Sequence, residues 1–297
     1  MRTLLAILGP TAAGKTEVAI RIAERIGAEI LSVDSMQVYR DMDIGTAKPS
    51  VIERRGIRHH MIDIVDPESE FSVAEFRQQG RAVMNSADSP LIITGGSGLH
   101  FRALVDRMSF APTDPTLRSE LEGSQLADLA AELKTADPAV ESHVDLANPR
   151  RVIRAVEILR LSGETPSKRA TTIEAENLAR YLSDVDFAAV GLDAGDATET
   201  RIDARLAKMR RSGLTDEVRG LLSRMGRTAR GAVGYRQLLS HLEGRSTEEE
   251  AYRLAAAGTK KLARKQRTWF RRDPRIRRIP WVEDVDQRTD RALEALI

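Results

Sequence analysis

The sequence predicts an α/β fold: a P-loop parallel-sheet core flanked by helices, with a helical insertion domain. Three observations carry this. Residues 9–16 read GPTAAGKT, which fits the phosphate-binding pattern G-x-x-x-x-G-K-[ST] at every fixed position. Apolar strand-like runs then alternate with helix-like stretches, the signature of a doubly wound parallel sheet. From Pro112 to about Asp186 no strand pattern appears, and apolar positions such as Leu126, Leu129 and Leu133 recur at helical spacing. The expected organisation is a catalytic core of residues 1–111 and 187–297, the latter ending in basic helices, around a helical insertion of residues 112–186.

The first strand is placed at residues 3–8 and the first helix at Thr16–Ile26, with Gly27 as its C′ residue. Between them lies the loop Gly9, Pro10, Thr11, Ala12, Ala13, Gly14, Lys15 and Thr16. Its glycines let successive N–H groups converge on a phosphate, and the helix N-terminus adds partial positive charge. Lys15 supplies a point charge, and the Thr16 hydroxyl is placed for a magnesium ion. The alternative is a glycine turn before an ordinary helix; the full motif in strand–loop–helix context favours a phosphorylated ligand.

A second strand, Glu29–Val33, ends on Asp34, and residues 34–49 leave the sheet. In a parallel sheet the carboxyl edge is where ligands bind, so Asp34 is expected to face the phosphate site. It reads as a general base or as a residue that holds the magnesium ion through the ion's own ligands; capping of the following turn is the structural alternative. Further strands are expected at Met61–Val65, Leu91–Thr94 and Phe187–Leu192. A helix is expected from Ser72 to about Ala87, where Ser72 and Glu75 form a capping box. The turn Gly95-Gly96-Ser97-Gly98 brings backbone and the Ser97 hydroxyl to the same rim. His59 and His60 lack metal-ligand spacing, which favours a structural or substrate-positioning role.

At 297 residues, 41% hydrophobic and 30% charged, the composition is globular and carries no long apolar span. No export signal is visible and there are no cysteines, which excludes disulfides and thiolate chemistry and points to the cytoplasm. The net charge of +2 hides an asymmetry, because residues 260–278 hold ten Lys/Arg and a single Asp. A second cluster comprises Arg150, Arg151 and Arg154. With Trp269 and Phe270 available to stack on bases, a nucleic-acid partner is expected in preference to a membrane; solvated helix faces are the alternative.

Taken together, GPTAAGKT (9–16), DSMQVYRDMDIGTAKP (34–49), HHMIDIVDP (59–67), FSVAEF (71–76), GGSGLHFRAL (95–104), NPRRVIRAVEILRLSGETPS (148–167), RIDARLAKMRRSGLTDEV (201–218), GAVGYRQL (231–238) and KKLARKQRTWFRRDP (260–274) closely resemble the bacterial tRNA dimethylallyltransferases, also called tRNA isopentenyltransferases. The resemblance runs through nearly the whole chain. It implies transfer of the dimethylallyl group of dimethylallyl diphosphate to N6 of adenosine 37, beside the anticodon, in tRNAs that read codons starting with U. It further implies that the loop holds the diphosphate leaving group. Lys15, the loop amides and a magnesium cofactor on Thr16 would bear the developing charge, Thr11 would hydrogen-bond it, and Arg201 would clamp it, with Arg205 as the fallback. Asp34 would accept the amine proton, and Asp34, Ser35, Met36 and Gln37 would line the adenine pocket. Ser97, Arg118 and the stretch Arg150, Arg151, Val152, Ile153 and Arg154 resemble further tRNA contacts. The base would leave the anticodon-loop stack to reach the donor. Partners are thus a tRNA anticodon loop and dimethylallyl diphosphate, with no membrane, and a monomer is expected.

Ser97 stands where Thr is common in the family, and His100 where Tyr is common. Two readings from other classes stay open at this point. One is a P-loop small-molecule kinase with Asp34 as base and ATP as donor; ATP binding rests on the motif alone. The other is a non-catalytic RNA-binding protein.

Overall fold

The computed structural model describes residues 3–297. The chain divides into two compact units, one ending at Val105 and resuming at Val185, the other Asp106–Asp184.

The first unit is built on a six-stranded sheet whose order is β3-β2-β4-β1-β5-β6. Its strands are β1 (Leu4–Leu8), β2 (Glu29–Ser32), β3 (His59–His60), β4 (Leu91–Gly95), β5 (Ala188–Gly191) and β6 (Ile276–Arg278), and every pairing is parallel. Helices α1 (Lys15–Ile26), α2 (Val73–Ser86) and α3 (Gly98–Val105) alternate with the strands. Parallel strands covered on both faces read as continuous apolar runs, and β1 shows the cause. Ala6 and Leu8 join a cluster with Leu31, Ile93, Phe76 and Phe101. Leu5 and Ile7 point the other way, to Val18, Ile22, Ile30 and Ile92, as the two-residue period of a strand requires. The capping box at the start of α2 is formed between Ser72 and Glu75, and Gly27 closes α1 in the left-handed conformation at φ 64°.

Two strand assignments need correction. The Met61–Val65 strand is absent: the pairing falls on His59–His60, while Met61 and Asp63 adopt positive φ values of 61° and 57° that no strand accommodates. The sixth strand, Ile276–Arg278, is hidden in the basic run, since two of its three residues are exposed arginines at a sheet edge.

The second unit holds α4 (Pro115–Gly123), α5 (Leu126–Ala136), α6 (Pro149–Ser162), α7 (Pro166–Ala170) and α8 (Ile173–Ala179). Leu121, Leu129, Leu133, Val140, Val152 and Val156 form its own core. The first unit then resumes with β5, followed by α9 (Ala197–Arg211), α10 (Leu214–Leu221), α11 (Arg227–Arg230), α12 (Tyr235–Leu242), the 25-residue α13 (Glu248–Arg272), β6 and α14 (Val285–Leu296). Among the described residues, no helix is long and apolar enough to cross a membrane.

Candidate active site

Sheet order places the site. β1 lies between β4 and β5, with Leu8 level with both Gly95 and Gly191, so the chain leaves β1, β2 and β4 along one carboxyl edge. Gly9 turns there at φ 148°, and a Cβ on it would lie 2.0 Å from the Leu192 carbonyl oxygen, so only glycine fits the exit. Gly14 enters α1 at φ 73° with no side-chain cap, which leaves the first-turn amides open to an anion.

One pocket opens at this edge. Its lining includes Thr11, Lys15 and Thr16 from the loop, Asp34 and Gln37 beyond β2, Gly95 and Gly96 beyond β4, Arg205 on α9 and Gln266 on α13. All of these belong to the first unit. Lys15 Nζ donates to the Pro10 carbonyl at 2.7 Å. Burial, aided by the charge of Arg205 and opposed by that of Asp34, lowers its pKa to about 7. Burial likewise lowers the pKa of Arg205, with Asp34 opposing. Two cations thus share a site whose nearby carboxylate is Asp34, an arrangement that an incoming anion would relieve.

Asp34 does two things at once. Its Oδ1 accepts from the Met36 amide at 2.9 Å and the Gln37 amide at 3.4 Å, so the turn-capping role is real. Its Oδ2 has no hydrogen bond among the described residues, and the side chain still lines the pocket. Gln37 is locked, accepting from Ser32 Oγ at 3.0 Å and donating to the Thr46 and Ala47 carbonyls at 3.3 and 3.4 Å. Ser35 and Met36 are half-buried beside it, and Met36 packs on the core.

Several residues read from the sequence sit elsewhere. Arg201 is not in the pocket lining; its Nε donates to the Ala12 carbonyl at 2.8 Å, bracing the loop backbone. The fallback Arg205 takes the pocket position, one turn along α9, with Nη1 donating to Thr11 Oγ1 at 3.1 Å. Ser97 bonds to His100 Nδ1 at 2.7 Å, outside the lining. His100 is buried against Phe76, and burial lowers its pKa to about 4 despite the charge of Asp34. His59 reaches the pocket, while His60 is tied to Glu29 at 2.6 Å. Phe270 is 5% exposed and belongs to the core, so it offers no face for stacking; Trp269 meets it edge-on and is partly accessible.

The stretch from Arg150 to Arg154 also divides. Arg150 and Arg151 are exposed, Val152 is completely buried, and Ile153 packs on the core of the second unit. Arg154 donates to Glu157 at 2.6 Å and to the carbonyls of Pro112 and Ala111 at 2.9 and 2.7 Å. Arg118 reaches the same Glu157 at 3.1 Å. The resemblance had given all five residues as tRNA contacts; packing turns Val152 inward and reveals the buried carboxylate that holds Arg118 and Arg154.

Two residues went unread in the sequence. Gln266 accepts from the Thr11 amide at 2.8 Å, pinning the loop from α13. Its signal was one neutral amide inside a basic run. Glu217 accepts from the amides of Asp43, Ile44 and Gly45 at 3.0, 2.7 and 3.1 Å and from the Tyr235 hydroxyl at 2.5 Å, fixing the segment that carries Thr46 and Ala47 into the pocket. A carboxylate on an amphipathic helix gives no sequence signal for such a clamp.

Residues 37–273 match the family model of the IPP transferases. The chain is 42% identical over 286 residues to the tRNA dimethylallyltransferase of Bifidobacterium animalis subsp. lactis, covering 92% of this chain and 81% of that one. It is 40% identical over 299 residues to the tRNA dimethylallyltransferase of Acidothermus cellulolyticus, covering 96% and 90% respectively. Among solved structures, the full-length tRNA isopentenylpyrophosphate transferase of Bacillus halodurans superposes with a TM-score of 0.68 at 31% identity, covering 99% of this chain and 98% of that one. A family-model match over most of the chain and relatives at this identity agree with the geometry of the site: the chain belongs to the IPP transferase family, the tRNA dimethylallyltransferases.

Proposed function

We propose that this enzyme transfers the dimethylallyl group of dimethylallyl diphosphate to N6 of adenosine 37 in tRNAs that read codons starting with U, releasing diphosphate. The observation that carries the mechanism is the sharing of one pocket by Asp34, Lys15 and Arg205. The N6 nitrogen attacks the allylic carbon, the C–O bond breaks with its electron pair passing to the diphosphate, and the amine proton passes to the open oxygen of Asp34. An exocyclic adenine amine is a poor nucleophile, so removal of its proton as the C–N bond forms is where a carboxylate helps. The loop amides, Lys15 and Arg205 hold the leaving group as its charge grows.

A magnesium ion fits this donor set. The Thr16 hydroxyl lines the pocket, and among the described residues no group of three or more His, Asp or Glu could cage a metal. Magnesium suits such a place, because it keeps several waters and takes phosphate oxygens as partners. When bound on Thr16 it would supply further neutralisation of the diphosphate. No acidic residue ends β4, which runs Leu91–Gly95, so the site lacks the second magnesium holder of P-loop ATPases. ATP is accordingly expected to compete only weakly, through its phosphates.

On the acceptor side, five cations of the basic run make no ion pair among the described residues: Lys261, Lys265, Arg272, Arg277 and Arg278, all exposed. With Arg150 and Arg151 they are the phosphate contacts proposed for tRNA. The test is mass spectrometry of unmodified tRNA incubated with enzyme, magnesium and dimethylallyl diphosphate. A single adenosine heavier by one dimethylallyl group beside the anticodon is expected; unmodified tRNA, or transfer that requires ATP, would overturn the reading.

A further inference from the structure

The turn after β4 is stitched to the segment that carries Asp34. The Val33 amide donates to the Thr94 carbonyl at 2.8 Å, and the Ser97 amide donates to the Val33 carbonyl at 3.1 Å. Ser97 is thereby fixed beside the residue that precedes Asp34. It also stands directly before α3, where its carbonyl accepts from the Phe101 amide at 3.0 Å.

In that position a serine oxygen usually accepts from a first-turn amide, and the side chain three residues on returns to the serine amide. Neither bond is made in the usual way here. The His100 amide lies 3.5 Å from Ser97 Oγ, at the limit of a hydrogen bond, and the Ser97 amide is already taken by Val33. The short contact joins Ser97 Oγ to His100 Nδ1, 2.7 Å apart. The imidazole therefore serves the hydroxyl and not the backbone.

The ring is itself held in place. His100 is 9% exposed and stands edge-on to the fully buried Phe76, with centroids 4.6 Å apart. Burial lowers its pKa to about 4, with the charge of Asp34 opposing, so the ring is neutral at physiological pH. A neutral imidazole offers one donor and one acceptor nitrogen. Serine lacks the β-methyl that restricts the threonine rotor, so its hydroxyl swings unless something holds it. One bond from a fixed ring supplies that restraint.

We propose that His100 is a positioning residue for prenyl transfer: it holds the Ser97 hydroxyl in one direction, ready to hydrogen-bond the acceptor nucleotide beside Asp34. This role rests on the reading above that the acceptor is a tRNA and that Ser97 contacts it. A hydroxyl bonded once keeps capacity for a second partner, and order in the free enzyme spares the rotor freedom that binding would otherwise remove. His100 lies outside the pocket lining and acts through Ser97.

The test compares kcat/KM for tRNA at saturating dimethylallyl diphosphate with the Kd for pyrophosphate. His100→Phe keeps a ring against Phe76 and removes both nitrogens. It should lower kcat/KM for tRNA about 2- to 10-fold, the range of one net hydrogen bond, and leave the pyrophosphate Kd unchanged. Two changes should restore the loss. His100→Asn returns a polar atom to the Nδ1 position, and Ser97→Thr added to His100→Phe fixes the rotor through its own β-methyl. In a Ser97→Ala background, His100→Phe should cost nothing further. Undiminished kcat/KM in folded His100→Phe, an equal loss with and without the Ser97 hydroxyl, or failure of both restoring changes would leave the bond a helix cap and overturn the role. Because the ring is buried and His100→Phe can unfold, a second readout keeps the histidine. The ring-nitrogen resonances of His100 should shift when an anticodon stem–loop binds the wild type, and stay put in Ser97→Ala; no shift at saturation overturns the role. Wild-type transfer is measured alongside. Its absence defeats the parent reading, whereas failure of the variants in an active wild type overturns only the role of His100.

Discussion

Two groups of recessed cations in this molecule look alike in the sequence and differ in the fold. In the second unit, Arg118 and Arg154 converge on Glu157, which is completely buried and also accepts from the Asp114 amide at 3.2 Å. In the first unit, Lys15 and Arg205 converge on open space, with Asp34 opposing their loss of charge. In the second unit it is the carboxylate that has left water, the arginines keeping 28 and 29% of their side-chain surface; in the first unit the cations themselves are desolvated. The group at Glu157 has a resident carboxylate and closes a structure; the pocket group depends on a partner that arrives from outside. A recessed cation marks a binding site when its countercharge is incomplete, and a structural tie when it is complete.

The largest effect that tests this contrast falls on the open site. Asp34→Ala should reduce single-turnover transfer by about 10²–10⁴-fold, the usual range for a general base, while tRNA affinity stays near wild type. Lys15→Ala should instead lower donor affinity and transfer together. Retention of more than about a tenth of the wild-type rate in Asp34→Ala would remove the general-base role.

On the closed side, Glu157→Ala leaves two arginines without their carboxylate. Leaving a fully buried charge unpaired costs about 3–5 kcal/mol, and because these arginines are 28 and 29% exposed, urea unfolding of the second unit should shift by less than that. The pyrophosphate Kd should not move. If it weakens as much as stability falls, the two groups are not independent and the contrast fails.

A smaller effect separates paired from unpaired cations in the basic run. Lys260 is bound to Asp203 at 2.8 Å, Arg264 to Glu199 at 3.3 Å and Arg267 to Asp193 at 2.7 Å, whereas Lys261, Lys265 and Arg272 are unpaired among the described residues. Neutralising the unpaired three should flatten the log–log salt dependence of tRNA binding by roughly 0.7–0.9 per lost contact. Neutralising the paired three should change stability more than salt slope. Equal slopes in both variants would mean that neither set touches phosphate.

The subtlest test is protonic. Lys15 has a pKa of about 7 in the free site, and a diphosphate beside it raises that value. Binding at a pH of about 8 should therefore take up protons, and at about 6 nearly none, as read from calorimetry in buffers of different ionisation heat and compared with Lys15→Met. The sign extends to folding. The depressed pKa means that the unfolded chain binds more protons above pH 7, so the contribution of Lys15 to stability rises from about 7 towards its ordinary value of 10.5 and is unfavourable below. Proton release on binding would contradict an incoming anion at Lys15.

What the sequence could determine by itself was whatever depends on short range. The loop GPTAAGKT, its strand and its helix follow from glycine conformations and apolar period, and Asp34 at the end of β2 follows from where a parallel sheet exposes its carboxyl edge. The capping box at Ser72 is likewise three residues long in its logic. Tertiary structure alone decided the pairings that span the chain. Arg201 and Arg205 both point from α9 towards the loop, and one helical turn separates bracing its backbone from lining the pocket. Gln266 pins Thr11 across 255 residues, and Phe270 enters the core next to a Trp269 that stays partly accessible. The short strand at His59–His60 was misplaced because positive φ at Met61 and Asp63 is set by neighbours, not by propensity. A charge in a sequence carries its sign but not its partner, and the partner decides whether that charge holds the fold together or waits for a substrate.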